Sequence, residues 1–231
     1  MYGQGYRKKT PEKFIEEIDY VLKKAGAKSI YFYDLTFTFD KSSIHKICDL
    51  IIKNQYKFSW CCQTRAEMVD LDLLKLMKSS GCKLIHFGVE SGSKKTSELL
   101  EKNISLENIQ KGLKAVKQSG ISSACFFMFG YPGETISDMN ETINFAVKLN
   151  PDYASFHIAI PYPSTKLYEL TKSTEIFPEM YTKEHSEKDL KRVLRKAFTK
   201  FYFRSKYIIS NLILKPHKLL YKIKLFINYI R

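Results

Sequence analysis

The sequence lacks most features of a secreted, membrane-spanning or zinc-held protein. Only five of its 231 residues are cysteine (Cys48, Cys61, Cys62, Cys82, Cys125). That number is odd, and the cysteines are scattered through apolar segments with no secretory signal ahead of them, so free thiols in a reducing, cytoplasmic setting are expected. No uncharged apolar run reaches the 18 or so residues that cross a bilayer. Neither His86 nor His157 stands at metal-ligand spacing from another His or Cys, and both lie inside apolar strands, where a packed, hydrogen-bonded imidazole is the expected role. Cys61 and Cys62 are adjacent in a strand and point to opposite faces, so they cannot grip one metal together. The glycine-rich turn at 130–133 lacks both the Lys-Ser/Thr of a phosphate loop and dinucleotide-binding spacing. Acidic residues are scarce at one end: of the formal net charge of +14, residues 185–231 carry +11 and the first 184 carry +3.

What is present is a regular alternation. After a short basic lead-in, Thr10 is placed to cap a helix, Pro11 suits its first position, and Glu12 complements its positive end. Phe14, Ile15, Ile18, Val21 and Leu22 form one apolar face, and Gly26 ends the helix. Strands are then expected at 29–37, 58–64, 84–91, 122–130 and 153–161. Between them the spacing predicts helices opened by Ser42 or Ser43 and running through Asn54, then over 71–80, 94–102, 106–118 and 136–149. Gly81, Gly120 and Asn150-Pro151 serve as stops. The organisation predicted is a lead-in (1–9), one α/β domain (10–175) and a basic amphipathic helical tail (176–231).

Strands separated by helix-length connections imply a parallel sheet, and their nearly continuous apolar character implies that both faces are covered. Polar residues recur where strands end: Asp34 and Thr36, Gln63 to Arg65, Glu90 and Ser91, Gly130, then "PYPST" at 161–165. Sites built from several strand ends favour a barrel-like arrangement over an open sheet. Each of these residues also has a plainer role. Asp34 and Glu90 suit a ligand amino group or ribose hydroxyl, or the cap of the next helix; Arg65 suits a carboxylate, or a surface pair with Glu67 or Asp70.

Taken in order, "TPEKFIEEIDYVLK", "IYFYDLTFTFD", "WCCQTRAEMVD", "LLKLMKSSGCKLIHFGVESGS", "FFMFGYPGET" and "PDYASFHIAIPYPSTKLYE" resemble the radical S-adenosylmethionine (radical SAM) enzymes, and within them the group that also carries a cobalamin-binding domain. The likeness runs from about residue 2 to residue 172. It implies a partial TIM-like (βα)6 barrel, here strands two to six without the first, followed by the helical basic tail. It implies S-adenosylmethionine and a four-iron, four-sulfur (4Fe-4S) cluster as cofactors, and cobalamin in the full-length relatives. By position, Asp34 and Thr36 fall where the family's second strand receives the methionine amino group, and Arg65 closes the third strand in a Thr-Arg pattern. Glu90 and Ser91 match the acid of "GVESG" that faces S-adenosylmethionine, and the backbone of Phe129 and Gly130 lies where adenine is held. No residue is singled out as catalytic.

The sequence departs from the family in two ways. Relatives commonly place two acids before the Thr-Phe of the second strand, whereas here Asp34 is followed by Leu35. The cysteine triplet CxxxCxxC that ligates the cluster is nowhere in the sequence, so Met1 is expected to sit just downstream of that motif. The resemblance implies a radical SAM-type protein, similar to enzymes that use the cluster to cleave S-adenosylmethionine for radical or methyl-transfer chemistry, and the missing ligands imply that this chain is inactive alone; the alternatives are half of a split enzyme completed by an upstream-encoded partner with the cluster loop, a non-catalytic S-adenosylmethionine- or lipid-binding module, or a gene remnant. The tail mixes cations with aromatic and branched residues, broken once at Pro216. An anionic membrane surface at the inner face is its expected partner, nucleic acid is disfavoured, and packing on the barrel is the plainer alternative.

Overall fold

Five short parallel-type strands, each followed by a capped helix, carry the chain from Thr10 to the middle of the basic tail. The computed structural model describes residues 8–100, 105–171, 184–205 and 207–209. The predicted extent of the fourth helix beyond residue 100, most of the lead-in and the tail beyond 209 with its break at Pro216 lie outside these. The strands are β1 (Ser29–Phe32), β2 (Ser59–Thr64), β3 (Cys82–Glu90), β4 (Ser122–Phe129) and β5 (Tyr153–Ile158), joined as one sheet in sequential order. The pairs β1/β2 and β2/β3 are parallel, with a register irregularity at Trp60/Cys61. The helices are α1 (Pro11–Lys24), α2 (Lys41–Lys53), α3 (Leu71–Ser79), α4 (Lys94–Leu99), α5 (Leu106–Ser119), α6 (Ile136–Leu149), α7 (Lys166–Thr171) and α8 (Glu187–Tyr202).

Several predicted boundaries differ from those observed, among them the end of the fifth strand at Ile158 rather than at 161 and the start of the third at Cys82 rather than at 84. The first strand stops at Phe32 rather than at 37, because Phe37 folds back to stack on Phe32 (5.1 Å between ring centroids) and its N–H bonds to the Gln63 carbonyl at 2.9 Å. The second helix is opened by Asp40 rather than by Ser42 or Ser43: the Asp40 carboxylate accepts from the Ser43 N–H, so the helix already begins at Lys41 and both serines lie inside its first turn. The remaining starts and stops follow local chemistry. Thr10 caps α1, Asp70 caps α3, Ser105 caps α5, and Gly120 and Asn150 end α5 and α6 in the left-handed conformation.

By contact density the chain divides into two units, Met1–Val89 with Ile104–Cys125 and Pro151–Tyr153, and Glu90–Asn103 with Phe126–Asn150 and Ala154–Arg231. In the first, α1 packs on α2, α2 on α3, and α3 on α5. Its core centres on Trp60, Phe32 and Phe37, with Phe14 of α1 against both phenylalanines. Burying each such side chain contributes roughly 1.5–3 kcal/mol. The Trp60 indole N–H is satisfied by the Ser80 carbonyl at 3.0 Å. Gly112 lets α5 lie directly on the backbone of residue 66, since a Cβ there would stand 2.1 Å from the Ala66 oxygen.

In the second unit α8 packs on α6 and buries Leu190, Val193, Ala197, Phe198 and Phe201. Phe156 of β5 stacks on Phe127 and Phe129 and meets Phe198 and Phe201 edge-on. Lys196 and Lys200 donate to the side-chain oxygens of Asn140 and Asn144, four residues apart on both helices, and the Tyr202 hydroxyl donates to the Ala154 carbonyl at 2.7 Å. The apolar face at the start of the basic tail is thus spent inside this unit. Among the described residues no helix is long and apolar enough to cross a membrane.

Two substitutions test this packing. Gly112→Ala should destabilise by about 1–3 kcal/mol in denaturant titration, because the forced shift of backbone outweighs the gain in helix propensity. Phe201→Ala should cost about 3–5 kcal/mol, as for a fully buried phenylalanine, and a near-zero loss would show that α8 is not part of the fold.

Candidate functional site

A strand end that feeds a helix collects acids for two reasons, capping and ligand binding, and the caps have to be identified first. Those of α2, α3, α4 and α6 are Asp40, Asp70, Ser93 and Thr135. Asp34 and Glu90 therefore cap no helix, and the plainer reading of both falls away.

In the first unit Asp34 is exposed and Thr36 half-buried, in a turn whose next threonine, Thr38, is buried against Thr64 with 2.6 Å between their hydroxyl oxygens. This buried pair ties the loop after β1 to the end of β2. Arg65 turns its Nε to the Glu67 carboxylate at 2.5 Å, as the surface-pair alternative anticipated. A cavity of about 500 Å³ lies in the same unit, lined by Lys8, Thr38, Phe39, Asp40, Lys41, Glu67 and Met68. None of Asp34, Thr36 and Arg65 lines it.

In the second unit Glu90 holds the left-handed conformation (φ 64°) at the end of β3. A residue other than glycine in that region costs energy, and such strain collects at functional sites. Burial, helped by the neighbouring Glu90 and Glu134, raises the Tyr131 hydroxyl above its usual range, and burial lowers the His157 imidazole against the opposing influence of Glu90. Ser91 is buried rather than presented to solvent, its hydroxyl 3.0 Å from that of Thr142 on α6 and accepting from the Ser93 N–H at 3.1 Å. The Gly92 N–H also bonds to Thr142, and a Cβ on Gly92 would come within 2.3 Å of Phe145. The small residues of "ESGS" thus serve close approach to α6.

Phe129 contributes only backbone here, because its ring is in the core and its carbonyl accepts from Ala159 at 2.8 Å. Gly130 follows with φ 85°, and a Cβ there would stand 3.2 Å from Leu190. The group that shapes this turn is one that the sequence did not reveal, Glu134. Its buried carboxylate accepts from Gly130 N at 2.7 Å and Tyr131 N at 3.2 Å, and burial, outweighing those bonds, raises its pKa to about 7. Nearby Asp138 forms a capping box with Thr135 and accepts from Ser93 and Lys95; those bonds outweigh its burial and hold it at about 2. The Thr135-to-Asp138 spacing is a legible capping signal. Glu134 has no such local signature, since its partners become apparent only once the turn is formed.

Among the described residues the cysteines are not grouped as the three thiolate ligands that an iron–sulfur cluster requires. Burial pushes Cys48 to about 12 and raises Cys125 further; Cys62 is raised by its hydrogen bond with Cys82 and by burial. No group of three His, Cys, Asp or Glu side chains able to hold a metal occurs among the described residues. His157 bonds instead to the Ser155 hydroxyl at 2.7 Å.

The Radical SAM superfamily model matches residues 2–146. A relative in Pyrococcus horikoshii, described as the uncharacterized methyltransferase PH0819, is 33% identical over 223 residues, covering 91% of this chain and 49% of its own length. The chain spans about half or less of the length of the curated relatives it matches. Among solved structures, coproporphyrinogen III oxidase (HemN) from Escherichia coli superposes with TM-score 0.60 at 17% identity, over 85% of this chain and 47% of that one. The cobalamin- and cluster-bound radical S-adenosylmethionine methyltransferase TsrM from Kitasatospora setae does so with TM-score 0.59 at 15% identity, over 65% and 29%. The sheet and its helices match the fold of these barrel enzymes.

Glu134 generates a prediction with a defined sign. Its folded-state pKa lies above the unfolded carboxylate value, so the stability it contributes is complete below about pH 4.5 and is lost as pH rises through 7. Relative to Glu134→Gln, the wild-type chain should lose up to about 3 kcal/mol between these limits. Asp138, already ionised there, is silent in this window. Urea titrations of both proteins at pH 4.5 and 7.5 measure the difference.

Proposed function

This chain belongs to the radical SAM superfamily, and from that membership we propose that it binds S-adenosylmethionine with Glu90 and the Gly130–Glu134 turn of its second unit. The observation that carries this reading is Glu90, an acid at a strand end, strained into the left-handed region, that caps no helix. A carboxylate held so accepts hydrogen bonds from ribose hydroxyls or an ammonium group. The turn supports the nucleoside end through backbone rather than side chains, as its glycines and the core position of the Phe129 ring require. Ser91 acts one step back, locking the loop that carries Glu90.

The reaction class is the family's, reductive cleavage of S-adenosylmethionine, and the methyltransferases among its relatives favour methyl transfer as the outcome. The electron for that cleavage comes from a 4Fe-4S cluster in this family, and this chain's buried thiols do not supply its ligands. We therefore propose that the cluster is held by residues outside these 231, on an upstream-encoded partner with a CxxxCxxC loop. A non-catalytic S-adenosylmethionine-binding module is the competing outcome.

Anaerobic iron–sulfur reconstitution, with and without that partner, separates the two. Iron and visible charge-transfer absorbance only in the presence of the partner are expected. Iron bound in neither case, with S-adenosylmethionine still bound, makes the chain a binding module. A cluster in the isolated chain would overturn the assignment of its cysteines as structural.

A further inference from the structure

The turn after β4 is held partly by residues distant in sequence. Glu134 fixes the Gly130 and Tyr131 N–H groups from within. The other corner of the turn is held from elsewhere: Gly133 N donates to Glu184 Oε2 at 2.7 Å, Gly133 O accepts from Lys95 Nζ at 3.0 Å, and Glu134 O lies 2.6 Å from His185 Nε2. A carbonyl oxygen only accepts, so Nε2 of His185 carries the hydrogen in that contact. Glu184 and His185 immediately precede Ser186, the cap of α8. Leu190, one turn into that helix, is buried beside Gly130. The start of the basic tail therefore touches the turn at three points, two by hydrogen bonds and one by packing.

We propose that Glu184 and His185 form a strap that sets the shape of the Gly130–Glu134 turn for S-adenosylmethionine, so that affinity for this ligand depends on the segment leading into α8. The inference rests on the reading that this turn holds the nucleoside. Both are positioning residues: they act through the backbone of Gly133 and Glu134 and need not touch the ligand. Four residues of the turn are fixed, by its own Glu134 and by partners on two other segments, Lys95 and the Glu184-His185 pair, more than a plain connection between a strand and a helix requires. The consequence is a physical link between whatever engages the basic tail and the site at the strand ends.

The test uses the full chain and S-adenosylmethionine as the probe, read by amide NMR shifts of Gly130 and Gly133 and by hydrogen exchange of the Gly133 N–H. The pair Glu184→Ala/His185→Ala should expose the Gly133 amide to exchange and weaken binding by about tenfold, the loss of two hydrogen bonds. The pair Glu184→Gln/His185→Gln, which keeps an acceptor and a donor, should restore both. Should the double alanine variant fold poorly, each single alanine variant is expected to show part of the same effect. Faster exchange at Gly133 with unchanged affinity would overturn the strap as a determinant of binding, and unchanged exchange would overturn the strap itself. A wild-type chain whose turn amides do not shift at saturating S-adenosylmethionine would remove the ligand assignment, and this inference with it.

Discussion

Parallel pairing imposes one requirement from which much of this structure follows: each strand must be followed by a crossover long enough to return the chain to the start of the next. Helices serve as those crossovers, so most strand ends lie close to a helix beginning, where unsatisfied backbone N–H groups need acceptors. Asp40, Asp70, Ser93 and Thr135 answer that need. Once these are assigned, the acids left over at strand ends stand out as having another role. Asp34, Glu90 and Glu134 remain, and of these Glu134 is used internally while Glu90 is held under backbone strain.

The second unit shows how small residues and hydroxyls make such strain sustainable. The first half of α6 receives two loops at once: Thr142 takes Ser91 and the Gly92 N–H, and Asp138 takes Ser93, Lys95 and Thr135. Gly92 permits this because any side chain would strike Phe145. The loop carrying Glu90 and the helix following the Gly130–Glu134 turn are therefore anchored to the same few residues. Buried networks of this kind hold geometry only when every member is satisfied, and here the hydroxyls, carboxylate and backbone N–H groups interlock. α8 closes the same unit from another direction, which places the start of the basic tail within the folded core.

Much of the fold was legible in the sequence. Helices α5 and α6 lie where their caps and apolar periodicity put them, α6 over the predicted residues, and all five strands were located. The largest boundary error, the over-long first strand, arose because Tyr31 to Phe37 is rich in aromatic and β-branched residues, interrupted only by Asp34 and Leu35. The chain bends after Phe32 only because Phe37 finds a stacking partner and Thr38 finds Thr64. The candidate site was legible as positions, Asp34, Glu90 and Gly130 among them, but not as roles: Ser91 proved a buried support, Phe129 a core ring, and Arg65 a partner of Glu67.

The sequence by itself determined the rhythm of strands and helices, the parallel sheet and the family, because caps, periodicity and motif spacing act over a few neighbouring residues. The tertiary structure alone decided which acids cap and which do not, why Gly112 and Gly92 are required, and how Glu134 comes to be buried and easily protonated. It also brought Glu184 and His185 to a turn about 50 residues earlier in the chain. These depend on contacts between residues far apart in sequence and on the loss of water around them, and neither leaves a local signature.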